Sequence, residues 1–205
     1  MASSELLVTL GNEEQISKAF NGDFLRGHRQ PRIAMVGRSN VGKSSLINAL
    51  IGGRLARASS QPGKTRLLHF YSWPDAGLIV ADLPGYGYAS ASHEDRDKWS
   101  QLIRSYFEWD RNLALALVLL DARHGPTKID EEAIEFLDSL HVPLGFVFTK
   151  SDTLKNQSET ARRKKEAVAK LTPWVENPQD LLWVSTTTKT GIKPLQVRLK
   201  EMGAG

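Results

Sequence analysis

Eight consecutive residues, Gly37-Arg38-Ser39-Asn40-Val41-Gly42-Lys43-Ser44, have the types and spacing to hold a phosphate chain. Glycine at both ends lets the backbone wrap an anion with no side chain in the way. Amides converging at a helix N-terminus bind phosphate oxygens, and Ser45 continues that turn. Lys43 can reach the outer phosphates, and the Ser44 hydroxyl can ligate Mg²⁺. Gly63-Lys64-Thr65 looks like a second copy, but the glycine it needs at position 58 is Ala58. Its place in a Gly-, Ser-, Arg- and Pro-rich stretch gives Thr65 another role, as metal and γ-phosphate ligand in a segment that orders around a triphosphate.

Two more clusters fall just past apolar runs. In Asp82-Leu83-Pro84-Gly85 the carboxylate can hold the Mg²⁺ shell, and the glycine can offer its amide to the γ-phosphate. By itself an Asp before Pro-Gly is an ordinary turn. Downstream of a phosphate loop, in this order, it reads as a metal site. In Thr149-Lys150-Ser151-Asp152 the carboxylate can accept two hydrogen bonds from a guanine edge, a pair that adenine does not offer. The Lys150 stem can pack over the base while its head caps the loop. Backbone amides of Val184-Ser185-Thr186 are candidates for the base carbonyl.

These residues need strand ends to stand on. Apolar runs at 5–9, 32–36, 67–72, 78–82, 114–121, 144–148 and 181–184 read as strands. Helical spacing marks 13–20, 43–51, 93–109, 130–140, 158–171 and 194–202. Residues 22–30 read as a polar loop, and 52–66 and 84–92 as Gly-rich loops. Buried strands alternating with helices predict an α/β fold: a P-loop NTPase with a mostly parallel six- or seven-stranded sheet, helices on both faces and, from the 67–82 hairpin, one antiparallel edge. The 205 residues suit a single domain, with 1–30 as an N-terminal strand and helix extension and 31–202 as the core.

Charge is unevenly spread. The net charge is +4, but residues 21–66 hold nine basic and one acidic side chain, and 75–138 hold six basic and thirteen acidic. The basic block favours a phosphate-bearing ligand or partner. Arg26, Arg29, Arg32, Arg54, Arg57 and Arg162 to Lys165 are candidates for RNA contact; ordinary surface charge is the alternative. The chain has no cysteine, which excludes a disulfide scaffold, a thiolate metal site and a cysteine nucleophile. No apolar run is long enough to span a bilayer, and residues 1–20 lack a secretory signal pattern.

Taken in order, Gly37 to Ser44, Thr65, Asp82 to Gly85, Thr149 to Asp152 and Ser185-Thr186 resemble the five guanine-nucleotide motifs of Ras-like P-loop G domains. Gly37 to Asn48, Gly63-Lys64-Thr65 and Asp82-Leu83-Pro84-Gly85-Tyr86-Gly87-Tyr88-Ala89 resemble the EngB family of bacterial GTPases, from about residue 5 to 202. The resemblance implies a monomeric, cytoplasmic, Mg²⁺-dependent protein that binds GTP and GDP and hydrolyses GTP. It also implies a role in large-ribosomal-subunit assembly, through rRNA rather than DNA, and in cell division and septation. Lys43, Thr65 and Gly85 would then act on the transferred phosphate. Two positions depart from the common pattern: Thr149 stands where most such proteins have Asn, and the last motif is Ser-Thr-Thr.

Tyr86 occupies the place of the water-orienting glutamine of Ras-like proteins, so intrinsic hydrolysis is expected to be slow. His93 reads as the start of a surface helix. Asn40 is expected to help bind a monovalent cation, K⁺, beside the phosphates. Two functions remain open: a GTPase driving an assembly step, and a nucleotide-gated rRNA-binding module that hydrolyses only to release. An ATPase or small-molecule kinase is disfavoured by Asp152 and by the lack of a lid segment.

Overall fold

The computed structural model describes residues 3–56, 67–87 and 93–204. Seven strands form one sheet: β1 (Leu6–Leu10), β2 (Arg32–Gly37), β3 (Leu68–Trp73), β4 (Leu78–Asp82), β5 (Leu113–Asp121), β6 (Leu144–Thr149) and β7 (Leu182–Trp183), in the spatial order β1-β3-β4-β2-β5-β6-β7. From β4 to β7 every pairing is parallel. β3 runs antiparallel to both β4 and β1, so the antiparallel strand lies one in from the edge that β1 forms.

Helices cover both faces. The α3 (Lys43–Ile51) and α7 (Ile192–Gly203) helices pack on Ile33, Met35, Leu117, Leu119 and Val147. Opposite them, α1 (Glu13–Asn21), α2 (Asp23–Gly27), α4 (His93–Trp109), α5 (Lys128–Ser139) and α6 (Gln157–Leu171) pack on Ala34, Val36, Ala116, Val118 and Leu120. Alternate residues of the central strands therefore feed two cores, which is why these strands are apolar throughout. Parallel pairing gathers Gly37, Asp82, Asp121 and Thr149 at one end of the sheet, where α/β folds bind ligands.

Local structure departs from the sequence expectations in four places. The stretch 22–30 is not all loop, because it contains α2. The Arg32 guanidinium holds that short helix by donating to Leu25 O at 2.7 Å and His28 O at 2.8 Å, which caps its last carbonyls. Arg32 is therefore not an RNA contact. It is 2% exposed and paired with Asp110 at 2.7 Å, and removing either partner of such a pair costs on the order of 3–5 kcal/mol. The 67–82 hairpin turns through a 3-10 segment, Pro74–Ala76. The last strand is only two residues long, because Val184 and Ser185 turn away into the following loop. The last helix begins at Ile192, two residues before Pro194; a proline in the first helical turn gives up no hydrogen bond.

Candidate functional site

The loop between β2 and α3 is a cradle of main-chain donors. Among the described residues the N–H groups of Asn40, Gly42, Lys43 and Ser45 have no internal acceptor. Asn40 and Gly42 both have left-handed backbones, with φ of 64° and 104°, and that curvature turns successive amides toward one point. Lys43 reaches across the mouth to an ion pair with Asp82 Oδ1, at the end of β4. Ser44 lies beside them in the first turn of α3. A carboxylate and a hydroxyl are hard oxygen donors, which suits Mg²⁺.

Gly85 touches the cradle directly. A Cβ there would lie 3.1 Å from Ser39 Oγ and 3.2 Å from Gly37 O. The next residue is zipped to the loop: Ser39 N–H donates to Tyr86 O at 3.0 Å, and Tyr86 N–H donates to Gly37 O at 3.3 Å.

The end of β6 joins the same loop. The Thr149 hydroxyl, 2% exposed, lies 2.6 Å from Val41 O and 3.1 Å from Leu120 O. That tie holds the cradle against the strand. Lys150, itself left-handed at φ 57°, donates from Nζ to Asn40 O at 2.7 Å and to Asp121 Oδ2 at 2.9 Å. Asp152 follows in a 3-10 turn, Ser151–Thr153, exposed and with no partner among the described residues. Arg38 points elsewhere, to the Thr127 hydroxyl at 3.4 Å. Gly63 and Thr65 lie outside the described residues, as does Arg57.

Residues 32–150 match the family of 50S ribosome-binding GTPases. The chain is 48% identical over 145 residues to the probable GTP-binding protein EngB of Ligilactobacillus salivarius, covering 68% of this chain and 74% of that one. It is 44% identical over 151 residues to the EngB of Desulfovibrio desulfuricans, covering 73% and 75%.

The chain belongs to the EngB family of P-loop GTPases.

The fold agrees. A solved structure of a probable EngB superposes with a TM-score of 0.68 at 22% identity, covering 84% of this chain and 98% of that one. Era, in complex with MgGDPNP and nucleotides 1506–1542 of 16S ribosomal RNA, superposes with a TM-score of 0.63 at 23% identity, covering 84% and 56%.

One motif of this EngB chain needs correcting. The Val184 and Ser185 amides were expected to face a base, but both are spent internally. Val184 N–H donates to Phe148 O at 2.8 Å and Ser185 N–H to Thr190 O at 2.9 Å. The fully buried Ser185 hydroxyl instead takes the amides of Thr187 and Thr188 at 3.2 and 3.0 Å. The Thr186 N–H has no partner among the described residues, so it is the amide this turn can offer.

Two residues at the site, Asp121 and His69, were missed. Asp121 accepts from Lys150 and, at 2.9 and 2.7 Å, from the Arg123 guanidinium. Burial pushes its pKa up, but the hydrogen bonds from Arg123 and Lys150 outweigh that and hold it well below the usual carboxylate range. Its place at the end of an apolar strand is the same signal that marked Asp82. His69 pairs in register with Asp82 and contacts the Thr9 hydroxyl through Nδ1 at 2.9 Å. Burial lowers its pKa, Asp82 opposes this, and Lys43 adds to it. Tyr86, which the sequence places at the glutamine position, is buried and its hydroxyl donates to Asp130, so the phenol is turned out of the cradle. His93 begins α4 at the surface, 2.9 Å from Asp97.

Proposed function

We propose that this EngB protein is a Mg²⁺-dependent molecular switch that binds GTP and hydrolyses it to GDP and phosphate. The observation that carries the reading is the Lys43–Asp82 ion pair at the mouth of a loop with unspent amides. An ammonium and a carboxylate stand where a phosphate tail and its metal would each take one of them.

The chain's own groups have separable tasks. The amides of Asn40, Gly42, Lys43 and Ser45 grip the α- and β-phosphates, and Lys43 neutralises the outer ones. Ser44, Asp82 and Thr65 would hold the Mg²⁺, which would supply positive charge and Lewis-acid polarisation at the phosphates. Gly85 offers its amide to the γ-phosphate. Asp152 accepts from the guanine edge, Lys150 covers the base, and Thr186 N–H meets the base carbonyl. Asn40, exposed beside the phosphates, is the residue to hold a K⁺ that would add positive charge there.

Membership of the family supports a biological setting. We place the protein in the bacterial cytoplasm, acting on large ribosomal subunits and through them on division and septation. Among the described residues no helix is long and apolar enough to cross a membrane. The second reading, a nucleotide-gated rRNA-binding module with little intrinsic turnover, is favoured by the burial of Tyr86, which leaves no glutamine-like group at the position after Gly85 to orient water.

Calorimetric titration with GDP, GTP and ATP in the presence of Mg²⁺ tests the nucleotide reading. Heat with both guanine nucleotides and none with ATP is expected; no heat with either guanine nucleotide overturns it. Salt-dependent, GTP-dependent co-sedimentation with large subunits separates the module from an enzyme that turns over fast alone.

A further inference from the structure

Two large aromatic side chains stand exposed at the end of the sheet opposite the cradle. Phe24 on α2 is 46% exposed and Trp109 at the end of α4 is 38% exposed. Isolated surface aromatics are common and need no explanation. These two belong to one hydrogen-bonded knot. Buried Arg32 donates to Leu25 O, next to Phe24, and to Asp110 Oδ1, next to Trp109. Asn112 N–H donates to the Asp110 carboxylate at 3.1 Å, and the Asn112 side chain donates to Arg29 O at 3.2 Å. The Tyr106 hydroxyl donates to the second Asp110 oxygen at 2.8 Å. The short helix, the end of α4 and the start of β2 are thereby locked together.

The charge around the knot is lopsided. Arg26, Arg29 and Arg111 are exposed and form no ion pair among the described residues; Glu108 is an exposed carboxylate near Arg111 in the chain, and Asp23 precedes Phe24. Asp110, the acid that would offset them, is buried and spent on Arg32. His28 rests edge-on against Phe24 at 5.4 Å between ring centroids. Exposed aromatic rings with exposed arginines close to each in the chain fit one ligand chemistry: unstacked bases joined by phosphates. An acidic peptide would use the arginines but leave the aromatic faces wet.

We infer that this face, built from Phe24, Arg26, His28, Arg29, Trp109 and Arg111, is a docking platform for single-stranded RNA. Bases stack on Phe24 and Trp109, and the arginines take the phosphates. The choice of RNA over DNA rests on the ribosomal reading above; the platform itself does not. It lies about 20 Å from the cradle, one six-residue strand away. RNA held there does not touch the loops that sense the nucleotide, so its grip is the same with GDP and with GTP.

The test uses the full chain, saturated in turn with GDP and with a non-hydrolysable GTP analogue. Fluorescence anisotropy follows a labelled, unstructured twelve-nucleotide RNA, with DNA of the same sequence in a parallel arm. Phe24→Ala and Trp109→Ala should each weaken RNA binding about five- to hundredfold. Trp109→Phe, which keeps a stacking face, should stay within about twofold. Arg29→Gln should lower the slope of log affinity against log salt by about 0.7. Affinity should not change with the nucleotide. RNA affinity unmoved by both alanine variants overturns the platform, as does a tenfold difference between GDP and the analogue; DNA bound as tightly as RNA overturns the choice of RNA. Guanine-nucleotide calorimetry on the same variants keeps the two readings apart: heat with GDP but no platform effect sinks this inference alone, and the reverse sinks the switch alone.

Discussion

The Tyr86 hydroxyl donates a 2.9 Å hydrogen bond to Asp130 Oδ1, while Oδ2 of the same carboxylate accepts from the Thr127 N–H and hydroxyl at 2.9 and 2.6 Å. The residue after Gly85 is thus fastened to the start of α5, where Asp130 also completes the helix cap. The Tyr86 ring packs edge-on against Trp99 at 5.7 Å, and Trp99 Nε1 donates to Pro84 O at 2.8 Å. Burial, then the Asp130 charge, pushes the phenol pKa well above its ordinary value, so the group is a neutral donor at physiological pH. Tyr86→Phe should therefore leave kcat and guanine-nucleotide affinity within about twofold. It should cost about 1–2 kcal/mol of stability, a few degrees of Tm. Calorimetry and single-turnover hydrolysis read the two separately. A tenfold fall in kcat in a folded variant would show that the phenol takes part in the chemistry.

Lys43→Ala removes the ammonium that pairs with Asp82 in the mouth of the cradle and leaves that buried carboxylate without its partner. Nucleotide binding should fall below detection by calorimetry. Asp82→Asn should behave differently: GDP still binds, but its affinity loses most of its dependence on Mg²⁺. If GDP binding by Asp82→Asn responds to Mg²⁺ as that of the unaltered protein does, Asp82 is not the metal-side carboxylate.

Asp152→Asn replaces an acceptor-only side chain with an amide. The guanine ring N–H and amine then lose a charged acceptor, which should weaken GDP by about a hundredfold or more. Xanthine nucleotides, which carry a carbonyl in place of the amine, should gain. Competition titration with GDP, XDP and ADP checks this, and unchanged discrimination would place the base elsewhere. The Asn40 assignment has its own readout. Hydrolysis should be faster in KCl than in NaCl at equal ionic strength, and Asn40→Ala should erase the difference.

Much of this arrangement was legible because it depends on neighbours in the chain. Leu46, Ile47, Leu50 and Ile51 repeat at helical spacing, and Gly52 stops the helix in a left-handed conformation with φ of 76°, so α3 could be bounded at both ends. The phosphate loop is likewise local. The five-residue α2 is not: its carbonyls are capped by a guanidinium that arrives from β2, and no pattern within 22–30 signals that. The same limit hid the roles of Thr149 and Asp121. Thr149 stands where most such proteins have a longer Asn, yet its hydroxyl already reaches Val41 O, which the alignment of the strand ends makes possible. Ser185 misled for the converse reason, since its turn folds back on Thr190 and consumes the amides that a linear reading leaves open.

The Asp121 carboxylate joins Lys150 to Arg123, and Lys150 in turn holds Asn40 O, so one acid secures the base-side wall to the phosphate loop. Its folded-state pKa lies below its unfolded value. Such a group contributes stability that is fully present above the unfolded pKa, about 4, and is lost as pH falls through the folded value. Asp121→Asn deletes that contribution. The stability gap between the two proteins should be constant from pH 8 to about pH 5 and should shrink steadily below about pH 4. Denaturant melts at half-unit pH steps measure it. The variant should also bind GDP more weakly at neutral pH, because Lys150 is no longer tethered over the pocket. A gap that stays constant down to pH 3 would mean that the carboxylate gains nothing from its two cations.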